Sequence, residues 1–263
     1  MRSLLVLATV LVSAAGVTAG AGDDGPSELI FYHANDLLAS PDNPDDKYTA
    51  TITLAARHRG WELTLSENMF TDRRVNMIRF DETYLTLARD FTPGDKGWVV
   101  RAETGVAHVG EGIFGQSFQN FVHRTFGQDE RILPYVSEDT HLFFGLRASR
   151  PVPVKKRLVL TPFVEVETAG FKRHGLAALS ASLEVAPKFH LLGEAGFRWT
   201  RTDFAELDVF VDDSEPAYGV GFSYKRWFDV RWTRNYFGTD ERHWHLLWRI
   251  PIKKKSDGAE AKN

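Results

Sequence analysis

The chain has 263 residues, no cysteine and a formal net charge of −3. The missing cysteines exclude disulfides, thiolate metal sites and thiol nucleophiles, and the near balance of charge excludes a general nucleic-acid binder. A chain of this length is expected to form one domain, since large β-barrels commonly run this long as single units.

In chain order, Arg2 supplies a short basic segment, Leu4 to Val17 is an almost unbroken apolar run, and Ala19-Gly20-Ala21 fits a small-x-small cleavage site. Residues 1–21 read as a secretory signal peptide, since the apolar run is shorter than the roughly 20 residues a spanning helix needs. No cysteine follows to carry a lipid anchor. Residues 22–252 then show period-2 alternation broken by turn signals. Strands are predicted near residues 28–34, 48–57, 61–69, 79–90, 97–108, 139–149, 157–168, 174–186, 189–201, 216–226, 227–237 and 242–252. Each runs to about ten residues, the length of a tilted transmembrane strand. Residues 253–263 form a polar tail.

The alternation has a consistent sense. Ala177, Leu179, Ala181, Leu183 and Val185 fall on one face, with Ser180, Ser182 and Glu184 on the other. Trp244, Leu246, Trp248, Ile250 and Ile252 alternate with His243, His245 and Arg249. Trp61, Trp98, Trp199 and Trp227 sit near strand ends, as an aromatic girdle requires. A soluble β-sandwich also alternates, but its strands typically run about 5–6 residues. The predicted fold is all-β, a transmembrane antiparallel β-barrel of about 12 strands in the outer membrane of a Gram-negative cell. Glu165, Glu167, His243 and His245 read as lumen-facing.

Three polar clusters fall at strand ends or in irregular segments: His33-Ala34-Asn35-Asp36, followed by Tyr48-Thr49; Glu67-Asn68 to Arg73-Arg74; and Gln119 to Glu130, which holds His123, Arg124 and Asp129. Imidazole titrates near neutral pH and can take a proton from water. Asn and Asp oxygens suit a hard cation such as Ca²⁺, and paired arginines suit phosphate. Each cluster also has an ordinary reading: Asn35-Asp36 as a turn or cap, Arg73-Arg74 as a solvated rim.

In order, these segments read Ala34-Asn35-Asp36, Tyr48-Thr49-Ala50-Thr51, Glu67-Asn68-Met69-Phe70-Thr71-Asp72 and Gln119-Asn120-Phe121-Val122-His123-Arg124-Thr125-Phe126-Gly127. On these motifs the first half of the chain resembles the lipid A 3′-O-deacylases of the Gram-negative outer membrane. Two positions depart from that pattern: Thr51 stands where the family motif has glycine, and Asp72 where it has proline. The resemblance implies a monomeric carboxylic ester hydrolase that acts on lipid A of lipopolysaccharide and depends on Ca²⁺. It implies His123 as general base, with Asn35, Asp36 and Thr49 completing the catalytic site. Asp36, Asn35 and Asp129 would be the metal ligands, and Arg73, Arg74 and Arg124 would bind substrate. The rival readings are a catalytically silent barrel that binds lipopolysaccharide, a small passive pore, and a phospholipase. The last would need a serine paired with histidine, and no such pairing stands out in the sequence.

Overall fold

A computed structural model describes residues 27–35, 47–72, 78–93, 97–110, 139–170, 172–204, 209–225, 227–236 and 242–252. The predicted signal segment 1–21 and polar tail 253–263 lie outside them. Thirteen strands occur among the described residues: β1 (Glu28–Asn35), β2 (Lys47–His58), β3 (Trp61–Asp72), β4 (Ile78–Phe91), β5 (Val99–Gly110), β6 (Asp139–Ser149), β7 (Val152–Lys155), β8 (Leu158–Ala169), β9 (Lys172–Ala186), β10 (Phe189–Phe204), β11 (Val209–Tyr224), β12 (Phe228–Arg234) and β13 (Arg242–Pro251).

All pairings are antiparallel, and the sheet closes on itself. β1 pairs with β13 from Glu28 opposite Pro251 to Asn35 opposite Trp244, while β6 pairs with β8 on the far side of the barrel. The short β7 continues the line of β6 along β8. Ser149 faces Phe163, Val152 faces Leu160, and the Arg150 amide donates to the Pro162 carbonyl at 3.1 Å in between. Pro151 has no N–H to give the ladder, so the strand breaks there and resumes. Counting β6 and β7 as one wall element gives a closed twelve-stranded barrel, as the alternation predicted.

Several boundaries shift by a few residues from the sequence reading, and the start of β11 and the end of β12 do so for a physical reason. β11 begins at Val209 rather than near 216, because its ladder with β10 continues through Asp213 opposite Thr200 to Val209 opposite Phe204. The polar run Asp212 to Glu215 breaks the alternation, but backbone pairing beyond the bilayer needs no apolar face, so the hairpin continues past it. β12 ends at Arg234 because Asn235 turns the chain at a φ of 58°, a conformation that asparagine tolerates.

The polarity of the wall is inverted relative to a soluble protein. Leu142, Val164, Phe197 and Val220 lie outward and more than half exposed. Glu67, Arg198 and His243 are almost wholly buried inside. Ordinary globular folds put the aliphatic side chains in the core; a barrel in lipid puts them outside and keeps polar groups for the lumen. The side chains of Glu165 and Glu167 follow the expected inward parity, with Glu165 paired to Arg147 at 3.3 Å. Inside the wall, Arg198 donates to the Asn235 carbonyl at 2.7 Å, the Thr200 hydroxyl at 2.9 Å and the Asp213 carboxylate at 2.6 Å.

This arrangement yields a direct test of which face meets lipid. Val164→Arg is expected to destabilise the barrel by about 2–4 kcal/mol in a bilayer, the cost of a cation near the midplane. In a soluble sandwich the same exposed change would be close to neutral. Urea unfolding of the barrel in phospholipid vesicles measures the difference.

Candidate functional site

The two rims differ in how the strands are joined. At one, β2 turns into β3 through Arg59-Gly60, β9 into β10 through Pro187-Lys188, and β11 into β12 within Lys225 to Trp227. At the other, longer connections join β1 to β2, β5 to β6 and β12 to β13. Outer-membrane barrels keep tight turns on the periplasmic side and long loops outside, so the long-connection rim is the cell-surface rim. Tryptophans mark both: Trp61, Trp98 and Trp227 lie near the tight turns, and Trp199 and Trp244 toward the opposite end.

Every sequence-predicted site residue belongs to the surface rim or to a connection that starts and ends there. Asn35 is the last residue of β1, opposite Ala50 of β2, and Thr49 is the next residue along that neighbouring strand. The register sets the two on adjacent strands, offset by one residue. Asp36, Arg73, Arg74, His123, Arg124 and Asp129 lie outside the described residues. Asp36 follows β1, the arginine pair follows β3, and the other three sit between Gly110 of β5 and Asp139 of β6. Among the described residues, no group of three or more His, Asp or Glu is arranged to hold a metal ion.

Below this rim the wall carries a polar chain that motif reading missed. Thr51 lies opposite Ala34, a fully buried residue whose side chain is a single methyl group. The Thr51 hydroxyl donates to Asn68 Oδ1 at 2.8 Å, and Asn68 Nδ2 donates to Glu82 at 3.3 Å. Glu82 also accepts from the Tyr84 hydroxyl at 2.9 Å and meets Lys172 Nζ at 3.3 Å. Lys172 opens β9, four wall positions from β4, so the contact reaches across a sector of the lumen. Thr51, which stands where the resembled motif has glycine, is therefore the first member of this network. Glu82 could have been found as an inward polar position on an alternating strand; its partner on β9 could not.

A second cluster lies beside the first. His245 is held between two hydroxyls, Tyr32 at 2.6 Å on Nδ1 and Thr233 at 2.6 Å on Nε2. A neutral imidazole has one donor and one acceptor nitrogen, so one hydroxyl donates to the ring and the other receives from it. His243 stands edge-on at 6.2 Å. The two clusters share a cavity of about 270 Å³ lined by Tyr32, Tyr84, Glu167, Lys172, Arg231 and His245. His243 and His245 are thus lumen residues, as their alternation indicated.

No family model and no curated protein sequence matches the chain. Among solved structures, LpxR from Salmonella typhimurium is similar over 86% of this chain and 100% of its own, with a TM-score of 0.60 and 14% identity. The chain has an LpxR-like outer-membrane barrel fold. The beta domain of the Bordetella autotransporter BrkA (TM-score 0.46, 11% identity, 88% of this chain and 100% of that one) and the NanC porin (0.43, 8%, 87% and 100%) are also similar. The LpxR-like barrel crosses the membrane with strands, and no helix among its described residues is long and apolar enough to do so.

Thr51 offers a test of the network. Thr51→Gly removes the hydroxyl that bonds Asn68 and loosens a strand position, and is expected to cost the barrel about 1–2 kcal/mol. Equilibrium unfolding in vesicles checks the size, and the unchanged gel mobility of the folded form checks that the barrel still assembles.

Proposed function

We propose that this barrel is an ester hydrolase that removes a 3′-linked acyl or acyloxyacyl group from lipid A, acting as a monomer at the outer leaflet. The observation that carries the reading is that all four motif segments lie on strand ends at the surface rim or on connections that leave from it. Lipopolysaccharide occupies the leaflet on that side, so the rim is where such a substrate would be reached.

In this reading the His123 imidazole takes the proton of the attacking water at a ring nitrogen and later returns it to the departing sugar oxygen. Thr49 and Asn35, on adjacent strands, orient water and ester. Arg73, Arg74 and Arg124 clamp the phosphate oxygens of the glucosamine backbone, for which the guanidinium fork is the better cation. Asn35, Asp36 and Asp129 form an all-oxygen donor set, the kind that suits Ca²⁺, and they are the residues that would hold it. When bound, the ion would supply charge stabilisation at the developing oxyanion. The catalytically silent barrel shares this framework and differs only in turnover. Interior ion pairs such as Lys172 with Glu82 favour a filled barrel over an open pore.

Mass spectrometry of lipid A from cells expressing the chain tests the proposal. Loss of the 3′ acyl mass is expected, with turnover lowered about 10²–10⁴-fold in His123→Ala and abolished by calcium chelation. Unchanged lipid A from cells in which the barrel is folded in the outer membrane would overturn it in favour of the silent barrel.

A further inference from the structure

The periplasmic rim carries an arrangement that ester hydrolysis does not require. Among the described residues, four non-glycine residues have positive φ: Arg59 (51°), Lys188 (69°), Lys225 (54°) and Asn235. The three cations are all in tight turns of the periplasmic rim, where glycine or asparagine would be the unstrained choice. Basic side chains are thus kept at positions where the backbone disfavours them.

The turns are also joined to one another. The Glu184 amide donates to the Arg157 carbonyl at 2.8 Å, the Lys225 amide to the Lys188 carbonyl at 2.8 Å, and the Arg249 amide to the Trp227 carbonyl at 2.6 Å. Backbone bonds therefore stitch the rim from β8 to β13 into one arc. Lys155, Lys156, Arg157 and Lys188 are exposed along it, with Lys225 half-buried beside them. Lys225 Nζ lies 5.0 Å from the Tyr224 ring centre and 4.9 Å from that of Trp227. On the opposite arc Arg89 repeats the device, 5.0 Å over Trp61 and 5.4 Å over Phe91. Aromatic rings at the membrane interface with a cation reaching past them put positive charge at headgroup depth.

The carboxylates at this end are turned away from that surface. Glu62 is paired inside the wall with Arg57 and Arg101 at 2.6 Å each, and Asp229 with Arg249 at 3.2 Å. Glu28 and Glu184 take the inward parity of their strands. None of Arg59, Lys188 and Lys225 is ion-paired to a carboxylate among the described residues. Among the described residues, the rim thus keeps these carboxylates on its inward side, Glu62 and Asp229 paired there, and leaves Arg59, Lys188 and Lys225 without a carboxylate partner.

We infer that the arc Lys155-Lys156-Arg157, Lys188 and Lys225 is a binding surface for the phosphate headgroups of anionic phospholipids in the inner leaflet of the outer membrane. Charge complementarity and the depth fixed by Tyr224 and Trp227 select this occupant, because lipid is what surrounds the outward side of this rim. The inference rests on the barrel's place in the membrane and is independent of the proposed activity.

The test uses the full barrel in phosphatidylcholine vesicles into which brominated phosphatidylglycerol or brominated phosphatidylcholine is titrated. Quenching of tryptophan fluorescence gives the relative association of the two lipids. A preference of about fivefold for phosphatidylglycerol is expected, the effect of one cation near a charged surface, shrinking toward unity in about 0.5 M salt. The Lys188→Asn/Lys225→Asn variant should fold at least as well, since asparagine tolerates these dihedrals, and should lose most of the preference. Equal quenching by both lipids in the unmodified barrel overturns the inference, as does a preference that survives in the variant. Co-sedimentation with purified peptidoglycan without lipid preference would overturn it too, assigning the arc to the cell-wall polymer.

Discussion

Everything in this molecule depends on the closing seam between β1 and β13. In hydrocarbon an unpaired backbone N–H or C=O costs several kcal/mol, so a sheet can sit in a bilayer only if its first and last strands find each other. The eight residues of β1 pair in unbroken register with β13 on one side and β2 on the other. That seam also fixes geometry at the surface rim, because it sets where β1 stops and hence where Asn35 lies relative to β2 and β13. A shift of one residue would turn Tyr32 and Ala34 outward and bring Phe31 and His33 into the lumen.

The lumen solves a different problem from the wall. Polar side chains removed from water need partners, and here they find them both across strands and two residues along their own. Arg198 satisfies three acceptors from three different segments, and Glu82 gathers Asn68, Tyr84 and Lys172. Such networks hold the cross-section of the barrel fixed where apolar packing is sparse, since the buried hydrophobic clusters are small, Phe163 with Leu176 and Ala217 being one of them. Stiffness below the surface rim gives the strand ends above it a firm base.

The strands were legible in the sequence because a lipid-facing barrel writes its fold in period 2, with one face answering to hydrocarbon. All twelve predicted segments correspond to wall strands, including the short first one. What alternation does not encode is curvature: that Lys172 meets Glu82, or that His245 sits between Tyr32 and Thr233, follows from the bend of the closed sheet and not from spacing along any strand. The short β7 fell between the predicted strands because Pro151 and Pro153 interrupt the alternation there, and the extension of β11 to Val209 went unread because the polar run Asp212 to Glu215 interrupts its own. Of the candidate site, the sequence marked Asn35 and Thr49 as members of one constellation, and the register places them on adjacent strands at one rim. The role of Thr51 was invisible because a hydroxyl at that position gains its meaning only from the amide of Asn68 across the ladder.

The small strand β7 has a consequence for how such chains coexist in a crowded membrane. It pairs with β8 alone, so its other margin is a length of sheet edge, the feature through which β proteins stick to one another. Its sequence blunts that edge three times over. Pro153 offers no amide hydrogen, the register slips between Pro153 and Lys155, and Lys155-Lys156 add charge where a neighbouring strand would have to dock. A barrel that must interrupt one wall strand thereby keeps the interruption from becoming an invitation to dimerise by sheet extension.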